Sequence, residues 1–200
     1  MLIACTVIFS YLIGAISFSY ILTKKMKKID IRQVGSGNAG ATNTQRVLGT
    51  GPALIVLALD VCKGIACLLI ARLLVLPDWA VALAGLAAIA GHDFPIYYRF
   101  KGGKGVATTI GVFFMLMPFE ALCAAFVTII IIALSRYVSL GSLFFLLATP
   151  LLGLFFGSFS VGVIAIMFVI AALTYVQHRT NINRLVHGCE NKIGHKKADM

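Results

Sequence analysis

The stretch GPALIVLALDVCKGIACLLIARLLVL, residues 51–76, decides the fold. About 20 apolar residues cross the hydrocarbon core of a bilayer as a helix, and this run is longer than that. Three charges interrupt it, Asp60, Lys63 and Arg72. Charges inside a span are costly and are normally paired within the bundle. Asp60 and Lys63 are neighbours on one helical face, so they read as a structural ion pair facing the bundle interior, with a functional role as the alternative. The composition agrees: of 200 residues, 60% are hydrophobic and only 12% charged, where soluble domains carry about 25%.

Upstream, residues 2–22 make about one span, followed by Lys24, Lys25, Lys27 and Lys28. A cleaved leader carries its positive charge before the apolar run; here the charge follows, so the segment is expected to stay as a helix. Downstream, Pro77-Asp78 makes a turn and Trp79 suits an interface. Further apolar runs cover 79–90, 106–117 (ended by Pro118), 119–134, 140–156 and 161–176. The expected fold is an all-α integral membrane protein, one polytopic membrane domain over 1–200 with about seven transmembrane helices. The third and fourth are short, either strongly flanked spans or re-entrant elements.

Orientation follows from the basic residues. Seven crossings put four polar segments on one side, about 24–49, 91–105, 135–140 and the tail 178–200. These hold every Lys and Arg except Lys63 and Arg72, and all the histidines. The N-terminus is therefore expected outside and the C-terminus inside. The net charge of +10 is spent on this asymmetry; with such hydropathy and no nucleic-acid module, DNA or RNA is excluded as a partner. Of the five cysteines, Cys5, Cys62, Cys67 and Cys123 fall in apolar segments; with Cys189 they form no CxxC or Cys/His metal pattern.

Between the first two spans lies GSGNAGATNTQRVLG, residues 35–49. Glycines let the backbone approach closely and adopt positive φ. Successive N–H groups can then line a concavity, and a following helix adds its positive end. Gly37 and Gly40 supply that freedom; Ser36, Asn38, Thr42 and Asn43 add neutral donors, and Arg46 a bidentate fork. The natural guest is a phosphate; the plain alternative is a well-capped loop between membrane helices.

A second such loop, GHDFPIYYRFKGGKG at 91–105, carries Gly102, Gly103, Lys104 and Gly105 before a helix. It lacks the GxxxxGK[ST] spacing of a nucleotide-hydrolysing loop but still reads as a phosphate loop. His92 reads as a helix-end residue. In the tail, His178 and Asn181 share a face if the last helix continues; His178 is the side chain best placed for general acid/base work near neutral pH. Ser139 and Ser142 flank the start of the sixth helix, as caps or as donors to substrate.

Three blocks, GSGNAGATNTQRVLG, GHDFPIYYRFKGGKGVATT and HRTNINRLVHGCENKIG, in this order within the apolar segments, resemble the acyl-phosphate-dependent glycerol-3-phosphate acyltransferases, the PlsY family of the bacterial inner membrane. The resemblance spans nearly the whole chain. It implies transfer of a fatty acyl group from acyl phosphate to the 1-hydroxyl of glycerol 3-phosphate, giving lysophosphatidic acid, the first step of phospholipid synthesis. It also implies that Ser36 and Arg46 are an essential pair, assigned here to substrate phosphate. Gly102, Gly103 and Gly105 with Lys104 match the block linked to acyl phosphate. Asn181 and Glu190 match required positions, Glu190 for integrity, and His178 aligns with a site histidine.

Acyl phosphate is an activated mixed anhydride, so the expected mechanism is direct attack without an acyl-enzyme, cofactor or metal, at a site on the cytoplasmic face. The base is His178 or a substrate phosphate oxygen. Membrane lipid surrounds the acyl tail. The rival is a transporter of a phosphate ester or organic anion, whose broken helices and glycine loops would look alike but whose site would lie nearer the midplane. The HxxxxD pattern of other glycerolipid acyltransferases is absent: five residues after His92, His178 and His187 stand Tyr97, Asn183 and Lys192.

Overall fold

Each apolar segment of the sequence forms a helix in the computed structural model, which describes residues 1–193; the end of the tail, 194–200, lies outside the described residues. In chain order the helices are α1 (Leu2–Gly14), α2 (Phe18–Lys27), α3 (Ala41–Leu48), α4 (Thr50–Leu73), α5 (Asp78–Asp93), α6 (Val106–Leu116), α7 (Pro118–Ser135), α8 (Val138–Phe156), α9 (Val161–Gln177) and α10 (Arg179–Val186). Among the described residues there is no strand. Five spans are long and apolar enough to cross a membrane, or six if the bent pair α9–α10 counts as one, against the seven expected.

The differences have physical causes. The first segment still makes one span, Leu2–Lys27, but it is built of two helices: α1 stops at Gly14 and α2 restarts after Ser17, whose hydroxyl accepts from the Tyr20 N–H. A break at membrane depth frees backbone carbonyls that must be satisfied internally. Lys63 Nζ does this, donating to the Ile16 carbonyl at 2.8 Å. The third segment is longer than the sequence suggests, because α5 runs on through Gly91, His92 and Asp93. The fourth, α6, is 11 residues, about 16 Å at 1.5 Å per residue, against a core of about 30 Å. Pro118 starts α7 directly behind it. The last helix does not continue straight; it bends by 64° at His178.

Helix α5 is the hub, packed on α1, α4, α6 and α9. Half of its sequence DWAVALAGLAAIAGHD is alanine or glycine, which lets backbones approach closely where lipid supplies no hydrophobic drive between helices. A Cβ at residue 91 would overlap the Tyr11 carbonyl, and one at residue 14 the Ala88 carbonyl. Both contacts are to backbone, which cannot swing aside. Gly91→Ala is therefore expected to lower the thermal midpoint of the purified protein, by overpacking of about 1–3 kcal/mol; an unchanged midpoint in a thermal-shift series would refute the tight α1–α5 crossing. Around this hub Leu68, Val81, Val112, Phe113, Met117 and Met167 complete the core. In contrast α7 turns Phe119, Leu122, Phe126 and Ile129 outward, as a lipid-facing helix must.

Candidate active site

The polar segments converge on one cavity of about 500 Å³, within the range of small-molecule sites. Of the residues singled out in the sequence, Ser36, Asn38, Gly40, Thr42, Asn43, Arg46, Lys104, Gly105, Ser142, His178, Asn181 and Glu190 line it. Gly37, Gly102 and Gly103 do not. Arg184, Ser139, Asp60 and His92 line it as well. The cavity continues as an apolar trough past Leu54, Leu57, Ile110, Phe114, Ile129 and Phe145.

The first loop is built around Asn43, which is fully buried. Its Oδ1 accepts from the Ser36 N–H at 2.8 Å, and its Nδ2 donates to the carbonyls of Ile31 and Val34 at 3.1 and 3.0 Å. Asn43 thus spends its amide on shaping the loop that presents Ser36. Gly35 and Gly37 have φ of +63° and +71°, and a Cβ at residue 35 would overlap Asn43 Oδ1. Gly40 then caps α3 with no side-chain partner, leaving the first-turn N–H of Ala41 and Thr42 at the cavity wall. Arg46 follows in the last turn, with no hydrogen bond or ion pair among the described residues.

The second loop is pinned to the end of α5. The Gly102 N–H donates to the Asp93 carbonyl at 3.2 Å and the Gly103 N–H to the His92 carbonyl at 3.0 Å. These glycines therefore serve close packing rather than anion donation: a Cβ at residue 102 would overlap the His92 carbonyl. What they present is Lys104 and the start of α6. Gly105, at φ +72°, is the uncapped N-terminal residue before α6, and Gly105, Val106 and Ala107 line the cavity. Two helix N-termini, each worth about half a positive charge, thus face one space.

The tail closes the site. Lys104 Nζ donates to Asn181 Oδ1, Asn181 Nδ2 to Glu190 Oε1 at 2.8 Å, and Arg184 Nε to Glu190 Oε2 at 2.8 Å. Burial works against the Glu190 charge, but Arg184 and Asn181 outweigh it and hold its pKa below the usual value. Both Glu190 oxygens are thus committed to orienting neighbours. His178, 3% exposed, stands at the α9–α10 bend. Its Nδ1 lies 2.8 Å from the Thr174 carbonyl; a carbonyl only accepts, so the proton is on Nδ1 and Nε2 keeps its lone pair. Ser142 is no cap: its hydroxyl donates back to the Val138 carbonyl at 2.9 Å, one turn inside α8.

Helices long and apolar enough to cross a membrane, around a cavity lined by Arg46, Lys104 and Arg184 and continued by an apolar trough, define an integral membrane protein with an amphipathic cavity. Comparison with known proteins makes this specific. A family model described as glycerol-3-phosphate acyltransferase matches residues 4–188, and the chain belongs to that family. It is 54% identical over 198 residues to the glycerol-3-phosphate acyltransferase of Shouchella clausii, covering 96% of this chain and 97% of that one. It is equally 54% identical over 198 residues to that of Halalkalibacterium halodurans, with 96% and 95% covered. The crystal structure of PlsY, an integral membrane glycerol 3-phosphate acyltransferase in its glycerol 3-phosphate form, matches with a TM-score of 0.91 and 42% identity, covering 97% of this chain and 96% of that one. Its lysophosphatidic acid form matches with a TM-score of 0.88 and 40% identity, at the same coverage.

Residues of both loops and of the tail line the cavity, and so do Asp60 and His92, which the sequence does not mark as cavity residues. Only the folding of α4 against α5, which no local pattern encodes, brings them there.

Proposed function

We propose that the chain transfers a fatty acyl group from acyl phosphate to the 1-hydroxyl of glycerol 3-phosphate, giving lysophosphatidic acid and phosphate, from the cytoplasmic face of a bacterial inner membrane. One observation carries this reading. Arg46, Lys104 and Arg184, with two helix N-termini, surround a cavity that runs on into an apolar trough. Two phosphates need several positive groups to lie close together, and one of them carries a chain that needs an apolar bed.

Ser36, Arg46 and the start of α3 hold the glycerol phosphate; Lys104 and the start of α6 hold the phosphate of the donor. The acyl chain lies along Leu57, Ile110, Phe114 and Phe145, open toward lipid. The glycerol oxygen then attacks the acyl carbon, held in place as a neighbour rather than met by collision. The carbon–oxygen bond to phosphate breaks, and the phosphate leaves with the bonding pair. The hydroxyl proton goes to His178 Nε2 or to a phosphate oxygen. Lys104 and the α6 N–H groups meet the charge developing on the departing phosphate. Among the described residues Ser36 has no histidine or carboxylate bonded to its hydroxyl, which a covalent serine nucleophile requires, and this supports direct attack.

The test is product formation by the purified protein with glycerol 3-phosphate and acyl phosphate, acyl-CoA or acyl carrier protein in parallel, with a chelator present. Lysophosphatidic acid is expected from acyl phosphate alone. Product from acyl-CoA would discard the proposed donor. No product from a folded protein would favour the transporter and call for flux assays in vesicles. Radiolabel retained on denatured protein would refute direct attack.

A further inference from the structure

One buried cluster takes no part in the proposed reaction. Lys63 Nζ, inside α4, donates to the Ile16 carbonyl at 2.8 Å, lies 2.9 Å from His92 Nδ1, and forms an ion pair with Asp60 Oδ1 at 2.8 Å. An ammonium has no lone pair to offer, so His92 Nδ1 must be the acceptor. Asp60 Oδ1, at 3.5 Å from Nδ1, is too distant to take a proton in a hydrogen bond. A neutral imidazole that accepts at Nδ1 carries its proton on Nε2. This ring is 6% exposed and lines the cavity together with Asp60. Its Nε2 is turned to the second loop, where a Cβ at residue 103 would overlap it. Among the described residues no acceptor takes that proton.

The geometry points to His92 Nε2–H as a hydrogen-bond donor to the departing phosphate of the acyl donor, with Lys63 and Asp60 as positioning residues that lock its tautomer. The assignment rests on the reaction proposed above. A neutral donor buried one residue from Lys104 suits this place. It meets negative charge as the acyl–phosphate bond breaks, without adding a further charge to a crowded cationic site. The ion pair has a double use: it satisfies the carbonyl freed by the α1–α2 break and fixes which imidazole nitrogen faces the substrate. Histidine ring nitrogens are commonly fixed in this way by the partner of the other nitrogen.

Two isosteric substitutions separate this role from a merely structural one. Glutamine places an amide nitrogen near the position of Nε2; asparagine places an amide oxygen near that of Nδ1. His92→Gln therefore keeps the cavity donor and His92→Asn keeps the acceptor for Lys63. With acyl phosphate and glycerol 3-phosphate, His92→Asn is expected to lower kcat/KM for acyl phosphate about 100-fold, the usual loss for a removed transition-state donor. His92→Gln should stay within about tenfold of the unsubstituted protein by the same scale, and KM for glycerol 3-phosphate should hold in both. Equal losses, or the reverse order, would overturn the proposal.

A measurement independent of activity is the nitrogen NMR spectrum of histidine-labelled protein at pH 7, with His92 assigned by the resonance lost in His92→Asn. The Nε2–H tautomer is expected; an Nδ1–H tautomer or an imidazolium would overturn the assignment. The double variant Asp60→Asn with Lys63→Gln should release Nδ1–H tautomer, and an unmoved spectrum would remove Lys63 and Asp60 as positioning residues. Unsubstituted protein inert toward acyl phosphate would instead refute the reaction itself, while the spectrum would still decide the Lys63–His92 arrangement.

Discussion

Arg46→Lys is expected to lower kcat/KM for glycerol 3-phosphate about 100-fold although the charge is kept, because a lone ammonium cannot reproduce the planar fork that grips two phosphate oxygens. Arg46 stands in the last turn of α3 and lines the cavity together with Lys104 and Ser36. Burial depresses its pKa, the nearby Glu190 opposes this and Arg184 adds to it; a guanidinium stays protonated through such a shift, so geometry rather than charge is at stake. Among the described residues Arg46 has no ion pair or hydrogen bond, so the substitution leaves no stranded partner and the thermal midpoint should stay put. That combination, intact folding with lost activity, separates an enzyme site from a lipid-binding surface, which would accept lysine. Ser36→Ala is expected to lose less, about tenfold, since one neutral hydrogen bond is worth roughly 0.5–1.5 kcal/mol. Steady-state kinetics of both variants beside a thermal-shift measurement check this, and an Arg46→Lys enzyme within threefold of the parent would remove the bidentate role.

Why Arg46 was legible in the sequence while His92 was not is a matter of range. An arginine eleven residues into a run of glycine, asparagine and threonine contrasts with everything around it. The same contrast exposed Lys104 between its glycines, and hydropathy marked the apolar helices, though not the polar α3 and α10 or the break between α1 and α2. His92 sits at the end of a small-residue helix and reads as a terminal residue, which it also is. Its meaning comes from Lys63 on another helix, and the meaning of Lys63 comes from a carbonyl freed by the break at Ile16. Each link is a tertiary contact between distant segments. The glycines show the limit from the other side. Gly102 and Gly103 were identified by composition as anion-binding, but their N–H groups are taken by the end of α5. Asn43, equally polar, is consumed in building its loop. Composition shows that a loop is special; only the partners show which atoms are left for a ligand. The bend at His178 was hidden for a similar reason, since helical periodicity runs through it without a proline or glycine.

The second large effect belongs to Lys104. Burial is the main force on its ammonium, joined by repulsion from Arg184; Glu190 pulls the other way, Arg46 adds a little more repulsion, and the pKa falls to about 8. The sign follows directly. Below about pH 7 the free protein carries the charged form that a phosphate needs; above about pH 8 the charge is lost, although a lysine in water would keep it to about 10.4. The profile of kcat/KM, which reports the free enzyme, should therefore hold a plateau near neutrality. It should fall about tenfold per pH unit on the alkaline side, with a midpoint near 8. On the acid side the second phosphate ionisation of the glycerol ester, near pH 6, sets the other limb. Lys104→Met should lose about 100-fold or more at pH 7, since it deletes both a donor and the charge that the proposed reaction sets against the leaving phosphate, and it frees Asn181 Oδ1 of its partner. Lys104→Arg, whose guanidinium does not titrate in this range, should move the alkaline limb beyond pH 10 in whatever activity it retains. A profile for the parent that is flat from pH 7 to 10 would show that the Lys104 charge takes no part in binding the donor phosphate. An alkaline limb that persists unmoved in Lys104→Arg would assign it to another group.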